Sequence, residues 1–147
     1  MTRKERLKRR KRLQRIALFC IEHAEDISYV QERPMREMLH CPPRINSPMD
    51  CSEYHTFLHC CAGFPDPNGT NYDGTGFTGT IFSHGKARKG RPRIGDAVLF
   101  HNPEHVATVY KTWPIVRLTS HGSEGGPYRD LRLDYRTGRY AVVSVID

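Results

Sequence analysis

Apolar positions recur at helical spacing in the first half of the chain, once after a basic segment and once after several prolines. The first repeat predicts an amphipathic helix over residues 13–27. The residues on its apolar face are Leu13, Ile16, Ala17, Cys20, Ala24 and Ile27. Residues 28–50 then contain four prolines, so we expect no more there than a short helix at 34–40.

The second repeat predicts a helix with a clear start and a clear end. Ser47 or Asp50 can cap its first N–H groups, and Gly63, followed by two prolines, ends it. Its apolar face consists of Tyr54, Phe57, Leu58 and Cys61. Cys51 lies in the first turn, where the helix dipole favours a thiolate. A nucleophile is one interpretation of this cysteine, and a small core residue under a helix end is the other.

The second half of the chain changes to the period of two that is typical of strands. Residues 64–79 are rich in glycine and predict an ordered surface loop, and residues 84–92 predict a basic, mobile loop. The strands that follow are predicted at 97–101, 105–111 and 115–121, with a closing hairpin made of 131–135 and 140–146 around Thr137-Gly138. Helices first and strands afterwards favour an α+β fold with N-terminal helices packed on a small antiparallel sheet.

The net charge changes how the N-terminal segment is interpreted. The chain has 147 residues and a net charge of +7, and nine of its 23 basic residues lie between Arg3 and Arg15. The other 14 basic residues are balanced by 15 of the 16 acidic ones. We therefore predict a basic extension, residues 1–12, in front of a single domain, residues 13–147. Such an extension can be a solvated helix, an arm for nucleic acid or an attachment to another anionic polymer.

Composition excludes several classes of protein. No apolar run approaches the ~20 residues of a membrane-spanning helix. Residues 16–21 are apolar but too short for a signal peptide, and acidic residues follow them, so we expect no signal peptide. The five cysteines, at positions 20, 41, 51, 60 and 61, include no CxxC pair. We therefore expect reduced thiols, with neither a structural zinc site nor a disulfide scaffold.

A cysteine nucleophile needs a base within hydrogen-bond reach, and that base needs an orienting partner. Among the eight histidines, His105 opens one predicted strand and His121 ends the next. A helix that packs on the sheet can place the sulfur of Cys51 over the first residues of a strand, and His121 can then hold the imidazole of His105. Strand alternation alone does not decide which way His121 points. We expect His55 and His59, on the Cys51 helix, to be exposed.

These motifs, taken in order, closely resemble the NlpC-type cell-wall cysteine peptidases, papain-like enzymes that cleave bacterial peptidoglycan. The versions found in bacteriophage lysins are the most similar. The matching segments are SYVQERPM, DCSEYHTF, AGFPDPNG, YDGTGFTGT, IGDAVLF, HVATVY and SHGSEGGPY. The resemblance covers roughly residues 27–126. Short pieces such as HVA or GD are unspecific when alone, whereas the ordered set is quite specific.

The resemblance implies a papain-like fold and a Cys-His-His site. Carried over residue by residue, it makes Cys51 the nucleophile, His105 the general base and acid, and His121 the third, orienting residue. Tyr29 matches a tyrosine that lies near the site in relatives. The backbone N–H groups of Cys51 and Ser52 would be oxyanion donors, because a helix start leaves them without intrahelical partners. No metal and no cofactor is implied.

Two positions depart from the family pattern. Glu53 follows the DCS motif, where the family usually has glycine, and its carboxylate can crowd the cleft or contact an amine of the substrate. Ile94 precedes Gly95-Asp96, where the family usually has proline. Neither departure falls on the three catalytic positions.

The function that the resemblance implies is hydrolysis of an amide bond in the stem peptide of peptidoglycan. N-acetylmuramoyl-L-alanine amidase activity at the same site is the alternative. The partner would be bacterial peptidoglycan, with the basic extension attracting an anionic wall polymer. The expected lack of a signal peptide fits a phage endolysin, made in the host bacterial cytoplasm before its release to the cell wall, or a virion-associated lysin.

Two other classes compete with a hydrolase. Nucleic-acid binding through residues 3–15 is motivated by charge alone, since no recognised reading motif or aromatic stacking platform accompanies it. A degenerate relative could bind the wall without cutting it, but the intact set of Cys51, His105 and His121 argues against that interpretation.

Overall fold

The computed structural model describes residues 1–23, 49–101, 104–122, 126–136 and 138–147. The predicted short helix at 34–40, the end of the predicted first helix and Tyr29 lie outside the described residues. The described residues form these helices and strands: α1 Arg3–Glu22, α2 Cys51–Ala62, α3 Thr78–His84, β1 Lys86–Ala87, β2 Ala97–His101, β3 Glu104–Lys111, β4 Arg117–Gly122, β5 Gly126–Arg132 and β6 Tyr140–Ser144. The predicted α+β class is confirmed.

The strands form one antiparallel sheet of six strands in the order β1-β6-β2-β3-β4-β5. The predicted closing hairpin is wrong, because β5 begins at Gly126 and pairs with β4, while β6 returns to pair with β2. The pairing of β6 with β2 buries two valines, one on each face of the sheet. Val143 packs in the cluster on one face and Val142 packs against the cluster on the other. A hairpin at the sheet edge would leave part of this apolar surface in water.

The two faces of the sheet bury different clusters. The helix face, which packs against α2 and α3, carries Ala97, Leu99, Val106 and Val143, together with Ile81 of α3. The outer face carries Val98, Phe100, Ala107, Val109 and Leu118, with the segment after β5 packed against them. Because side chains alternate along a strand, neighbouring residues in β3 belong to opposite faces.

Helix α2 lies at the centre of the molecule, and its predicted boundaries are confirmed. The Asp50 carboxylate accepts a hydrogen bond from the Glu53 N–H at 2.8 Å. At the other end Gly63 adopts the left-handed conformation, with φ of 82°, which costs glycine little. The predicted apolar residues of α2 are buried between α1 and the sheet.

The prediction that His55 and His59 are exposed is wrong. Their exposed fractions are 2% and 1%, because the helix is covered on more than one side. His55 Nδ1 lies 2.7 Å from the Thr108 hydroxyl, and His59 Nε2 donates to the Gly95 carbonyl at 2.8 Å. These hydrogen bonds satisfy polar atoms that would otherwise be costly to bury.

Helix α1 begins at Arg3, ten residues before the predicted start. Thr2 caps it, and the Glu5 side chain returns a hydrogen bond to the Thr2 N–H, which completes a capping box. The predicted division after residue 12 falls inside this helix. Arg10 is buried and donates to the Ile94 carbonyl at 3.0 Å, and the next buried residue, Leu13, packs in the core with α2. Among the described residues, no helix combines the length and apolar character needed to cross a membrane.

The cysteines differ in their redox state. Cys61 is disulfide-bonded, so the expectation that the cysteines are all reduced is wrong. Cys20, Cys51 and Cys60 are free thiols. Cys spacing alone does not reveal such a bond, because the partner sulfur is brought near by folding and not by sequence.

Candidate active site

Cys51 is the first residue of α2 and packs, partly buried, against the cluster on the helix face. Burial raises the pKa of its thiol, and the charge of Asp50 raises it further. Hydrogen bonds lower the pKa of the thiol but do not cancel the rise. They involve the Val106 backbone, the Ser52 backbone and the Thr78 side chain. The resting group is therefore a thiol, and a base must take its proton before the sulfur can attack.

His105 lies on the other side of the sheet. It pairs with Phe100 across β2 and β3, and its ring centroid is 6.3 Å from that of Phe100 on the outer face. Its Nε2 lies 3.0 Å from the Ser120 hydroxyl, and only 5% of the residue is exposed. The next residue, Val106, faces Cys51, so alternation turns His105 away from the sulfur. The described contacts of His105, with Phe100 and Ser120, therefore lie on the face of the sheet opposite to the face that Cys51 packs on.

His121 lies on the helix face, which answers the question that strand alternation left open. Its ring meets the Tyr54 ring edge-on at 6.4 Å, and it is fully buried. The Tyr54 hydroxyl also lies 3.1 Å from the hydroxyl of Thr119, the residue two positions earlier on the same face of β4. Tyr54 is within one turn of Cys51 in α2. The structure therefore places Cys51 and His121 on one face of the sheet, and Tyr54 connects α2 to β4 on that face.

The neighbours of Cys51 in α2 support its position. Ser52 is buried, and its hydroxyl donates a hydrogen bond to the Asp50 carboxylate at 2.9 Å. A hydrogen bond with the Ser52 backbone lowers the pKa of the Cys51 thiol. Glu53 is fully buried. The helix turns this position towards the interior, so the Glu53 carboxylate is not exposed at the surface.

His101 is a residue of this site that the sequence did not single out. It ends β2, two residues after Leu99, so the two share the helix face, and it is exposed. Its ring lies edge-on to Phe82 at 5.9 Å. Phe82 lies one helical turn after Thr78 in α3, and the Thr78 side chain forms a hydrogen bond with Cys51. His101 therefore lies at the exposed end of β2 on the helix face, against the α3 helix that also supplies Thr78 to Cys51, and alternation predicts this side once the helix face is known.

A metal centre is not evident in the described part of the chain, where no group of three or more His, Cys, Asp or Glu side chains is placed to hold an ion. In comparisons with known proteins, no family model, no curated protein and no solved structure matches the chain. The resemblance to NlpC-type peptidases and the papain-like form of the fold both stay predictions from the sequence motifs.

Proposed function

We propose that the protein is a thiol hydrolase that cleaves an amide bond in the peptide part of bacterial peptidoglycan, as a phage endolysin or virion-associated lysin. The position of Cys51 carries the proposal. A partly exposed thiol opens a capped helix, with polar groups of Val106, Ser52 and Thr78 around it. The ordered motifs that resemble the cell-wall peptidases supply the substrate class.

The proposed reaction runs through an acyl-enzyme. A histidine takes the Cys51 proton while the sulfur attacks the amide carbonyl, and the oxyanion lies against backbone N–H groups at the start of α2. The C–N bond then breaks, and the leaving amine takes the proton from the histidine. A water molecule, deprotonated by the same histidine, attacks the thioester and restores the thiol.

Two histidines compete for the role of base. The resemblance favours His105, with His121 as its orienting partner. The described arrangement favours His121, since it shares the helix face with Cys51, whereas His105 contacts Ser120 on the outer face. In that arrangement we assign the proton transfer to His121 and treat His105 as a positioning residue that fixes β3 to β4.

The disulfide at Cys61 supports action outside a reducing compartment. Cys61 is disulfide-bonded, and structural disulfides persist mainly in extracellular and other oxidising environments. The bacterial cell wall is such an environment, so the proposed route runs from the host cytoplasm, where the chain is made, to the wall.

The test is the clearing of purified cell walls by the wild type, by Cys51→Ala and by Cys60→Ala. Cys60 is a matched control because it is a second free, partly buried thiol in α2. We expect the wild type and Cys60→Ala to clear the walls and Cys51→Ala to be inactive while still folded. Clearing by Cys51→Ala would refute the thiol mechanism. Mass spectrometry of the fragments identifies the bond, and a cut between muramic acid and alanine would indicate the amidase.

The same assay assigns the base. General base catalysis typically contributes 10²–10⁴-fold, so His121→Ala should lose about that factor and also lose the acidic limb of the pH–rate profile. His105→Ala should retain that limb and lose stability instead, because it breaks the contact with Ser120. If His105→Ala, still folded, loses the acidic limb and His121→Ala keeps it, the assignment that the resemblance implies is the correct one.

A further inference from the structure

A basic concavity lies between α1 and the segment that leads into β2, away from Cys51. Its volume is about 640 Å³. Its cationic lining residues are Arg3, Arg6, Arg10, Lys11 and Arg93. Asp147 is the one acidic residue among the residues that line it. We call this concavity the α1 cleft.

The Asp147 carboxylate in the α1 cleft already forms ion pairs with arginines of the same chain. Asp147 pairs with Arg10 at 2.6 Å, with Arg88 at 3.1 Å and with Arg93 at 2.5 Å. These pairs hold the Asp147 carboxylate in place. On its rim, Arg3, Arg6 and Lys11 make no ion pair with any carboxylate in the described part of the chain. The cleft therefore keeps an excess of positive charge that suits an anionic ligand.

The basic surface extends beyond the cleft along α1. A second concavity of about 570 Å³ is lined by Arg3, Lys4, Leu7, Lys8 and Lys11, and it shares three of these residues with the α1 cleft. A helix of 20 residues is about 30 Å long. A row of cations over part of such a length matches a chain of repeated negative charges better than one small anion.

We propose that the α1 cleft and the concavity beside it bind a phosphodiester-linked anionic polymer of the bacterial cell wall. The identity of the polymer rests on the proposed function, which brings the protein to the wall. Single-stranded nucleic acid fits less well, because among the described lining residues no aromatic side chain offers a platform for stacking bases. The basic N-terminal segment is then a docked binding helix that holds the hydrolase on its substrate.

The test compares two variants with equal loss of charge, both in a Cys51→Ala background so that the wall is not digested. Arg6→Gln/Lys11→Gln alters the cleft. Arg12→Gln/Arg15→Gln alters exposed positions of α1 outside both concavities. Binding is measured on walls that retain a polyol-phosphate polymer, on walls stripped of it, on the purified polymer and on duplex DNA, at low and high salt.

We expect the cleft variant to bind polymer-bearing walls and the purified polymer about thirtyfold more weakly at low salt, as for two basic residues lost from contact with an anionic surface. The control variant should change by less than about threefold, since its residues lie outside the cleft, and high salt should remove the difference. Equal losses in the two variants, or unchanged binding in the cleft variant, would overturn the proposal. Tighter binding to duplex DNA than to the polymer would overturn the choice of ligand.

The effect of the cleft variant on wall binding can be measured separately from its effect on hydrolase activity. In the Cys51 wild-type background, the cleft variant should cleave a soluble stem peptide as fast as the unaltered protein, because the cleft does not include the Cys51 site. Loss of peptide cleavage together with loss of wall binding would overturn the proposal, since it would indicate damage to the whole domain. If neither the wild type nor the variant cleaves, the proposed function fails while the binding comparison still decides the role of the cleft.

Discussion

At the scale of single residues, the clearest energetic feature is a pair of buried histidines on α2, His55 and His59. Their ring centroids are 4.5 Å apart. Burial lowers the pKa of His59 to about 4, although the Gly95 carbonyl and the charge of Asp96 act to raise it. Burial also lowers the pKa of His55, and the neighbouring His59 lowers it further. Both rings are therefore neutral in the folded protein near pH 7.

This pair predicts a loss of stability in mild acid. The ordinary pKa of histidine is 6.5 and that of folded His59 is about 4, so between these values the unfolded chain binds a proton that the folded chain does not. Stability should fall as the pH falls through this range, by roughly 3 kcal/mol in total for His59 alone. Urea unfolding at pH 7 and pH 5 should show roughly 2 kcal/mol of this loss. His59→Gln can keep the bond to Gly95 and should flatten the pH dependence, whereas equal pH dependence in both proteins would contradict the argument.

At the scale of elements, the start of α2 combines a structural cap with a chemical role. Asp50 caps the Glu53 N–H, and its negative charge also opposes ionisation of Cys51. The helix start and the donors around the sulfur favour the thiolate, while burial and Asp50 favour the thiol. The capping residue therefore works against the nucleophile that it helps to position.

Replacing Asp50 by Asn should separate these two effects. Asparagine caps about as well as aspartate but carries no charge, so the helix should remain and the Cys51 pKa should fall. The measurement is the pH dependence of alkylation at Cys51, followed site by site with mass spectrometry, with Cys60 as the internal control. Asp50→Ala should instead lose about 1 kcal/mol of stability through the missing cap. A Cys51 pKa that stays the same or rises in Asp50→Asn would contradict the electrostatic assignment.

The elements also show how far the sequence could predict the fold. Helix α2 and strand β2 carry complete local signals, so their boundaries could be predicted. The pairing of β6 with β2 and the burial of His55 depend on contacts distant in sequence, which periodicity does not contain. For the site, alternation shows that His105 and Val106 face opposite ways, but only tertiary packing decides that α2 covers the face of Val106. The sequence could therefore propose the chemical groups of the candidate site but not which of them lie on the same face.

At the scale of the whole molecule, a network of ion pairs joins both ends of the described chain to the sheet. Asp147 bridges Arg10 of α1 and Arg88, which follows β1. Arg88 also makes two hydrogen bonds of 2.7 Å to Asp96, at the turn before β2. The side chains of Arg88 and Asp96 are 8% and 0% exposed. The hydrogen bonds to Asp96 raise the pKa of the Arg88 guanidinium, which fixes its charge.

Breaking this buried pair should destabilise the protein far more than breaking an exposed one. Arg88→Ala leaves the buried Asp96 carboxylate without its guanidinium partner, and the loss of one member of such a pair typically costs about 3–5 kcal/mol. Arg117→Ala is the matched control, because Arg117 makes the same bidentate contact with Asp130 but with side chains 22% and 42% exposed. Its loss should cost less than about 1 kcal/mol, because water screens the pair.

Chemical denaturation of both variants measures the difference in the free energy of unfolding, and similar losses in the two would show that burial of Asp96 does not dominate. High salt should change the cost of Arg117→Ala and leave that of Arg88→Ala nearly constant, since ions do not reach the buried pair.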